Sequence, residues 1–274
     1  MKNRISAIIL LIILTALTTL ASGAGTKPKE ERTIPYPAGY DTQSAGASSY
    51  AGCGNHADSK YFVHPDVYEL TSNKTLTVIS RFKTYQQTTE VTCGPCAALM
   101  VLYHYGNTKW QELKIAEIMK TNQDLDKDNK TEPGQANERG EYGTSTEHMV
   151  AFFKQIGWKV TSSLTEGKLE EGKTFKDHAG FKDWVVKKLK QNTPVMVEWI
   201  DWLGHWQVII GYDTMGTDAL GDDVLILADP YDTSDHLQDG YYLFDAERFY
   251  YMWADGFILP ESQSQQQWLI ATPK

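Results

Sequence analysis

Cysteine is scarce in this 274-residue chain, which has only Cys53, Cys93 and Cys96. An odd number cannot all be spent on internal disulfides, so at least one thiol is free or paired with another molecule. A second CxxC pair to complete a zinc ribbon is missing, and the sequence implies neither a metal nor another cofactor. Positive charge is also short, with 26 Lys and Arg against 35 Asp and Glu and a formal charge of −9. That balance argues against nucleic acid or an anionic membrane as a partner. Internal repeats are absent. What remains, 41% apolar and 22% charged, is the composition of a globular protein with one sizeable core or two small ones.

Long apolar runs are missing as well, except at the start. Lys2 and Arg4 precede an apolar run from Ile5 to Leu14, followed by small residues from Ala21 to Ala24, the pattern of a cleaved signal peptide over residues 1–24. A retained membrane anchor is the alternative. Cleavage would send the chain to the outside or the cell envelope or periplasm, with no stable membrane association. Residues 25–75 are rich in Gly, Ser, Ala and Pro and read as a linker or pro-segment, although Tyr36, Tyr40 and Tyr50 offer rings with which it could pack on the domain. Residues 76–260 carry the periodic segments, and 261–274 read as a glutamine-rich tail.

Within 76–260 the order of elements is informative. Leu76, Val78 and Ile79 mark a short strand leading towards Tyr85. From Cys96 to Tyr105 nearly every residue is apolar, which predicts a helix buried on most faces and stopped near Gly106. A second helix follows, with Leu113, Ile115, Ile118 and Met119 as core positions. Asp124, Asp126 and Asp128 then resemble the start of a calcium loop, but Asn129 and Gln135 stand where the turn glycine and bidentate glutamate are needed, so a solvated loop is expected. Thr144 and Glu147 form a capping box for a third helix ending near Gly157. Phe181, Trp184, Val185 and Leu189 line a fourth. Three β-rich runs come next, "TPVMVEWID", "HWQVIIGYDT" and "DVLILADPYD", and then another strand and short helix before residue 260. Helices first and strands afterwards give an α+β domain with an antiparallel sheet.

The chemistry gathers around "TTEVTCGPCAALM". A thiolate at the start of a helix is stabilised by free backbone N–H groups and the helix dipole. Two uses follow. Cys-Gly-Pro-Cys matches the tetrapeptide of thioredoxin-like domains, which would make Cys93 and Cys96 a redox pair, but those domains alternate strand and helix and this segment does not. The other use is a single nucleophile, Cys93, which needs a base, a group to orient it and donors for an oxyanion. His205 opens one strand and Asp229 closes the next, so antiparallel pairing brings them to the same sheet edge. Gln86 and Gln87 both stand close enough before Cys93 to supply an amide donor, and spacing alone does not choose between them. A catalytically silent binding domain is the alternative outside enzymology. Trp199 and Trp202 are further candidates, for lining a cleft.

Taken in order, Gln87, Cys93-Gly94-Pro95, the helix "AALMVLYHYG", Gly143-Thr144, "QIGW", "PVMVEW", "GHWQVIIGYD" and "LADP" resemble the C39-like branch of the papain-type cysteine peptidases, over residues 76–255. The resemblance implies a papain-like fold, with the nucleophile helix packed on the antiparallel sheet. It also implies Cys93 as nucleophile, His205 as base, Asp229 as its orienter and Gln87, six residues before the cysteine, as oxyanion donor. The expected substrate is a peptide or protein. Unlike the exporter-fused members, this chain has no exporter helices and no nucleotide-binding motif, so it is similar to the standalone secreted members. The resemblance leaves Cys96 either a buried free thiol or the partner of Cys53.

Overall fold

The β-rich runs of the second half assemble around one long central strand in the computed structural model, which describes residues 32–52, 59–63, 65–121, 143–166, 173–256 and 264–274. The strands are β1 (Leu76–Val78), β2 (Lys159–Ser162), β3 (Val195–Trp199), β4 (His205–Asp213), β5 (Val224–Ala228), β6 (Tyr241–Asp245) and β7 (Gln267–Thr272). They form one antiparallel sheet in the order β2-β7-β3-β4-β5-β6, with β1 paired to the far end of β4. The helices are α1 (Cys93–His104), α2 (Glu112–Met119), α3 (Thr146–Gln155), α4 (His178–Lys190) and α5 (Ala246–Met252). The α+β expectation holds.

The continuous apolar character of β3 and β4 has a simple cause: both of their faces are covered. Successive β4 side chains point to opposite sides. Trp206 reaches the start of α1, where a Cβ on Gly94 would lie 3.3 Å from its ring, whereas Gln207 accepts a 2.7 Å hydrogen bond from the Trp199 indole, which packs on Phe249 of α5. Helix α1 is buried along its first ten residues, from Cys93 to Leu102, and packs on β4, α2 and α3. A small residue at position 94 is what permits this approach, since the same added Cβ would stand 3.0 Å from Thr144.

Several local expectations need correction. The N-cap of α3 is Ser145, whose side chain accepts from the His148 N–H, and not Thr144. Thr144 is turned inward instead, its hydroxyl bonded to that of Thr121 and its carbonyl accepting from the Trp206 indole. Leu113 is exposed, although Ile115 and Met119 are buried as expected. The C-terminal stretch is not peripheral: β7 lies between β2 and β3, with Met196 facing Leu269 and Val160 facing Ala271. Its exposed-looking glutamines mislead because Gln266 and Gln267 are buried and bonded, Gln266 to the backbone of Thr174 and Phe175 and Gln267 to the hydroxyls of Thr146 and Ser163.

The described part of the 25–75 stretch is laid on the domain. Ile34 is buried in the core, its N–H donates to the Thr84 carbonyl at 2.8 Å, and the Tyr40 hydroxyl accepts from Leu113 N–H. Residues 46–48 cross the loop that precedes α1, with Ser48 N–H donating to the Gln87 carbonyl and Gly46 N–H to Glu90 Oε1. Gly46 has a φ of +67°, and a Cβ there would lie 2.5 Å from the Gln87 oxygen, so both conformation and space require glycine. The signal-peptide and calcium-loop segments and Cys53 fall outside the described residues.

Candidate active site

Register alone brings two of the predicted residues together. Val208 faces Ala228 across β4 and β5, which puts His205, at the start of β4, at the same sheet edge as Asp229, just past the end of β5. The two side chains meet at 2.6 Å, His205 Nε2 to Asp229 Oδ1, with both residues buried. Tyr231 N–H also donates to Asp229 Oδ1 at 2.7 Å, and the Asp229 backbone is tied to Gly240, so the carboxylate is fixed on the imidazole. Before His205 the chain turns sharply through Trp202, Leu203 and Gly204, all with positive φ. Left-handed backbone at two bulky non-glycine residues in succession is a strained arrangement of the sort that collects at functional sites.

The third residue arrives from the helical half. Cys93 is the first residue of α1 and is buried as a free thiol. It is a neighbour of the His205 ring and contributes to that ring's raised affinity for a proton; with Nε2 taken by Asp229, Nδ1 is the ring nitrogen left for it. Burial opposes a charge on His205. The Asp229 carboxylate, its hydrogen bond and the contact with Cys93 outweigh that cost and hold the imidazole well above the ordinary histidine range. The raised value means that the protonated ring stabilises the fold at acidic pH, up to the unfolded histidine value, and that this contribution is lost as pH rises through the raised one.

The cap of α1 is unusual. Thr92 occupies the N-cap position but makes no side-chain capping bond; its hydroxyl donates to Glu112 Oε1 at 2.6 Å, and Pro95, the third helical residue, has no N–H to offer it. With no side chain across it, the helix start presents its backbone N–H groups beside Cys93.

The two glutamines are separated by their partners. Gln86 donates its amide to the Asp229 carbonyl at 2.9 Å, which makes it a brace for the loop after β5. Gln87 is buried, its backbone N–H donates to the Pro230 carbonyl at 2.9 Å, and its amide donates to the Thr89 carbonyl at 2.8 Å, leaving Oε1 unpartnered. Both therefore join the segment before Cys93 to the segment after Asp229. Sequence reasoning offered Gln86 only as an alternative donor and passed over Thr92 and Glu112. An isolated glutamate in the first turn of a helix carries no signal that separates a buried anchor from a solvated charge.

Cys96 lies one turn beyond Cys93 and is wholly buried and free, so it forms no disulfide with Cys53. Burial, with Glu112 as hydrogen-bond partner and neighbouring charge, pushes its thiol well up. A thiol held protonated in the interior is a poor nucleophile and a poor redox partner. The two candidate tryptophans also divide. Trp199 is core, whereas Trp202 is 61% exposed and packs on Tyr231, two residues beyond Asp229.

No curated protein matches the chain. Among solved structures, the peptidase domain of Streptococcus ComA, described as a bi-functional ABC transporter involved in a quorum-sensing pathway, is 18% identical. The match covers 70% of this chain and 99% of that one, with a TM-score of 0.42. The model of the Peptidase_C39 like family matches residues 79–255, a span that encloses Gln87, Cys93, His205 and Asp229. On that match, the chain belongs to the Peptidase_C39 like family.

Proposed function

We propose that this protein is a standalone secreted cysteine peptidase that hydrolyses peptide or related amide bonds in peptide or protein substrates. One observation carries the reading: a buried imidazole bound through Nε2 to Asp229, beside the buried Cys93 at the start of α1. His205 holds the proton taken from Cys93, the two forming an imidazolium–thiolate pair, and the thiolate sulfur attacks the scissile carbonyl. The Cys93 N–H and the Gln87 amide receive the oxyanion, the latter by turning from the Thr89 carbonyl or by using its second hydrogen. Protonated His205 then gives its proton to the leaving amine and afterwards activates the water that releases the acyl-enzyme. Asp229 holds the ring in the tautomer this sequence of transfers needs.

The secreted assignment rests on the signal-like residues 1–24. Among the described residues no helix is long and apolar enough to cross a membrane. We read 76–260 as the catalytic domain and 25–75 as its N-terminal extension, with β7 completing the sheet. Incubation of the mature protein with a broad peptide library, read by mass spectrometry, tests the activity. Cleavage products are expected from the unmodified protein and none from a folded Cys93→Ala variant. A well-folded unmodified protein that leaves the library intact would overturn the hydrolase reading in favour of a binding domain.

A further inference from the structure

We infer that Glu112, the first residue of α2, is a positioning residue that shapes the oxyanion loop, an inference that rests on the peptidase reading above. Glu112 is wholly buried, and all the hydrogen bonds it accepts from 85–92 come from neutral donors. Its Oε1 accepts from Thr88 N–H at 2.8 Å and from the Thr92 hydroxyl at 2.6 Å. Its Oε2 accepts from the Tyr85 hydroxyl at 2.9 Å and from the Thr88 hydroxyl at 2.8 Å. The four donors belong to three residues, and those three bracket Gln87 on one side and stop one residue short of Cys93 on the other.

Among the described residues these four bonds join the buried carboxyl to neutral partners alone. A buried polar group satisfied in this way costs desolvation, and what it specifies here is a conformation. The segment 85–92 is wrapped about this one point, and its own internal bond follows from it. Because the Thr92 hydroxyl proton goes to Glu112, the 2.8 Å contact between Thr89 and Thr92 has Thr89 as donor. The carbonyl of the same Thr89 receives the Gln87 amide. The start of α1 has no side-chain cap where the oxyanion would sit. Cys96 is buried close by, and the Glu112 carboxyl is one cause of its raised thiol. Glu112 touches none of the reacting atoms, and His205 and Asp229 are held by the sheet without it.

Two reactions of Cys93 separate this role from general support of the fold. Alkylation by iodoacetamide needs the thiolate and its imidazole but no oxyanion site, whereas peptide hydrolysis needs all three. The full chain is compared with Glu112→Ala, Glu112→Gln and Thr92→Val. In Glu112→Gln the amide oxygen can accept from Thr88 N–H and the Thr92 hydroxyl, while its NH2 donates to the Tyr85 and Thr88 hydroxyls, which rotate to accept. For peptides that the unmodified protein cleaves, Glu112→Ala is expected to lower kcat about 10- to 100-fold, less than the roughly 10²- to 10³-fold for outright loss of an oxyanion donor, because the donors are displaced rather than removed. KM and the rate of Cys93 alkylation are expected to stay within about 3-fold. Glu112→Gln should restore most of kcat, and Thr92→Val, which keeps shape and folding if Glu112→Ala does not fold, should give a smaller loss of the same kind.

Parallel loss of alkylation and hydrolysis, an equal defect in Glu112→Gln and Glu112→Ala, or full kcat in Glu112→Ala and Thr92→Val would each overturn the proposal. Should the unmodified protein alkylate at Cys93 yet cleave nothing, the hydrolase reading fails first, and the positioning role falls with it. Cleavage by the unmodified protein with any of the three overturning results above leaves the peptidase reading standing and removes Glu112 alone.

Discussion

The two halves of the site are built by different means. In the sheet half, His205 and Asp229 are placed by strand register, and a 24-residue separation closes to 2.6 Å because β4 and β5 are antiparallel neighbours. In the helical half, Cys93 and Gln87 are placed by a loop whose shape depends on side chains from α2 and on contacts from residues 46–48. Backbone ladders tolerate many side-chain changes, whereas a buried polar network fails when one member is lost. Damage to the sheet half should therefore act through the charge on His205, and damage to the helical half through the geometry around the carbonyl.

The sharpest way to break the contrast is Asp229→Ala. Loss of the orienting carboxylate is expected to lower kcat by about 10⁴-fold, as in related triads. Its second signature is electrostatic: without Asp229 the His205 ring loses its main source of support against burial. The imidazolium is the form present below its pKa, so the alkaline limb of the kcat/KM profile should move to lower pH; an unchanged limb would mean that Asp229 does not govern His205. Next in size is Gln87→Ala, for which about a 10²-fold fall in kcat is expected, with the alkaline limb unmoved. A shifted limb there would show that the two halves are electrically coupled after all. The smallest effect belongs to Cys96→Ser, which keeps a donor for Glu112. Hydrolysis within about 3-fold of the unmodified protein, and the same labelling of Cys93 by iodoacetamide, would separate the two cysteines as nucleophile and anchor. Loss of activity comparable with loss of Cys93 would revive a paired-thiol reaction.

How much of this was legible in the sequence follows the same division. Continuous runs rich in β-branched residues marked β3, β4 and β5, and from those runs the meeting of His205 and Asp229 followed as geometry. The apolar run after Cys93 marked α1 for the same reason, since a helix buried all round leaves no polar face to conceal it. The glutamine-flanked β7 was missed because its Gln267 is buried with Thr146 and Ser163 as partners, and β2 because it is four residues long and only partly buried. Glu112 was illegible because its meaning lies in partners 20 to 27 residues earlier that only the fold delivers. The choice between Gln86 and Gln87 could not be made from spacing, and it is the partners, one glutamine bracing Asp229 and the other left with an unpaired oxygen, that distinguish them.

The position of β7 sets when the sheet can be completed. Although last in chain order, it fills the gap between β2 and β3, so a chain still being made has β2 apart from the rest of the sheet. Only β2 waits for it, with a long loop to close, since β3, β4, β5 and β6 pair without β7. Helix α3, which packs on both β2 and β7, gains its full footing on the sheet only with that last strand.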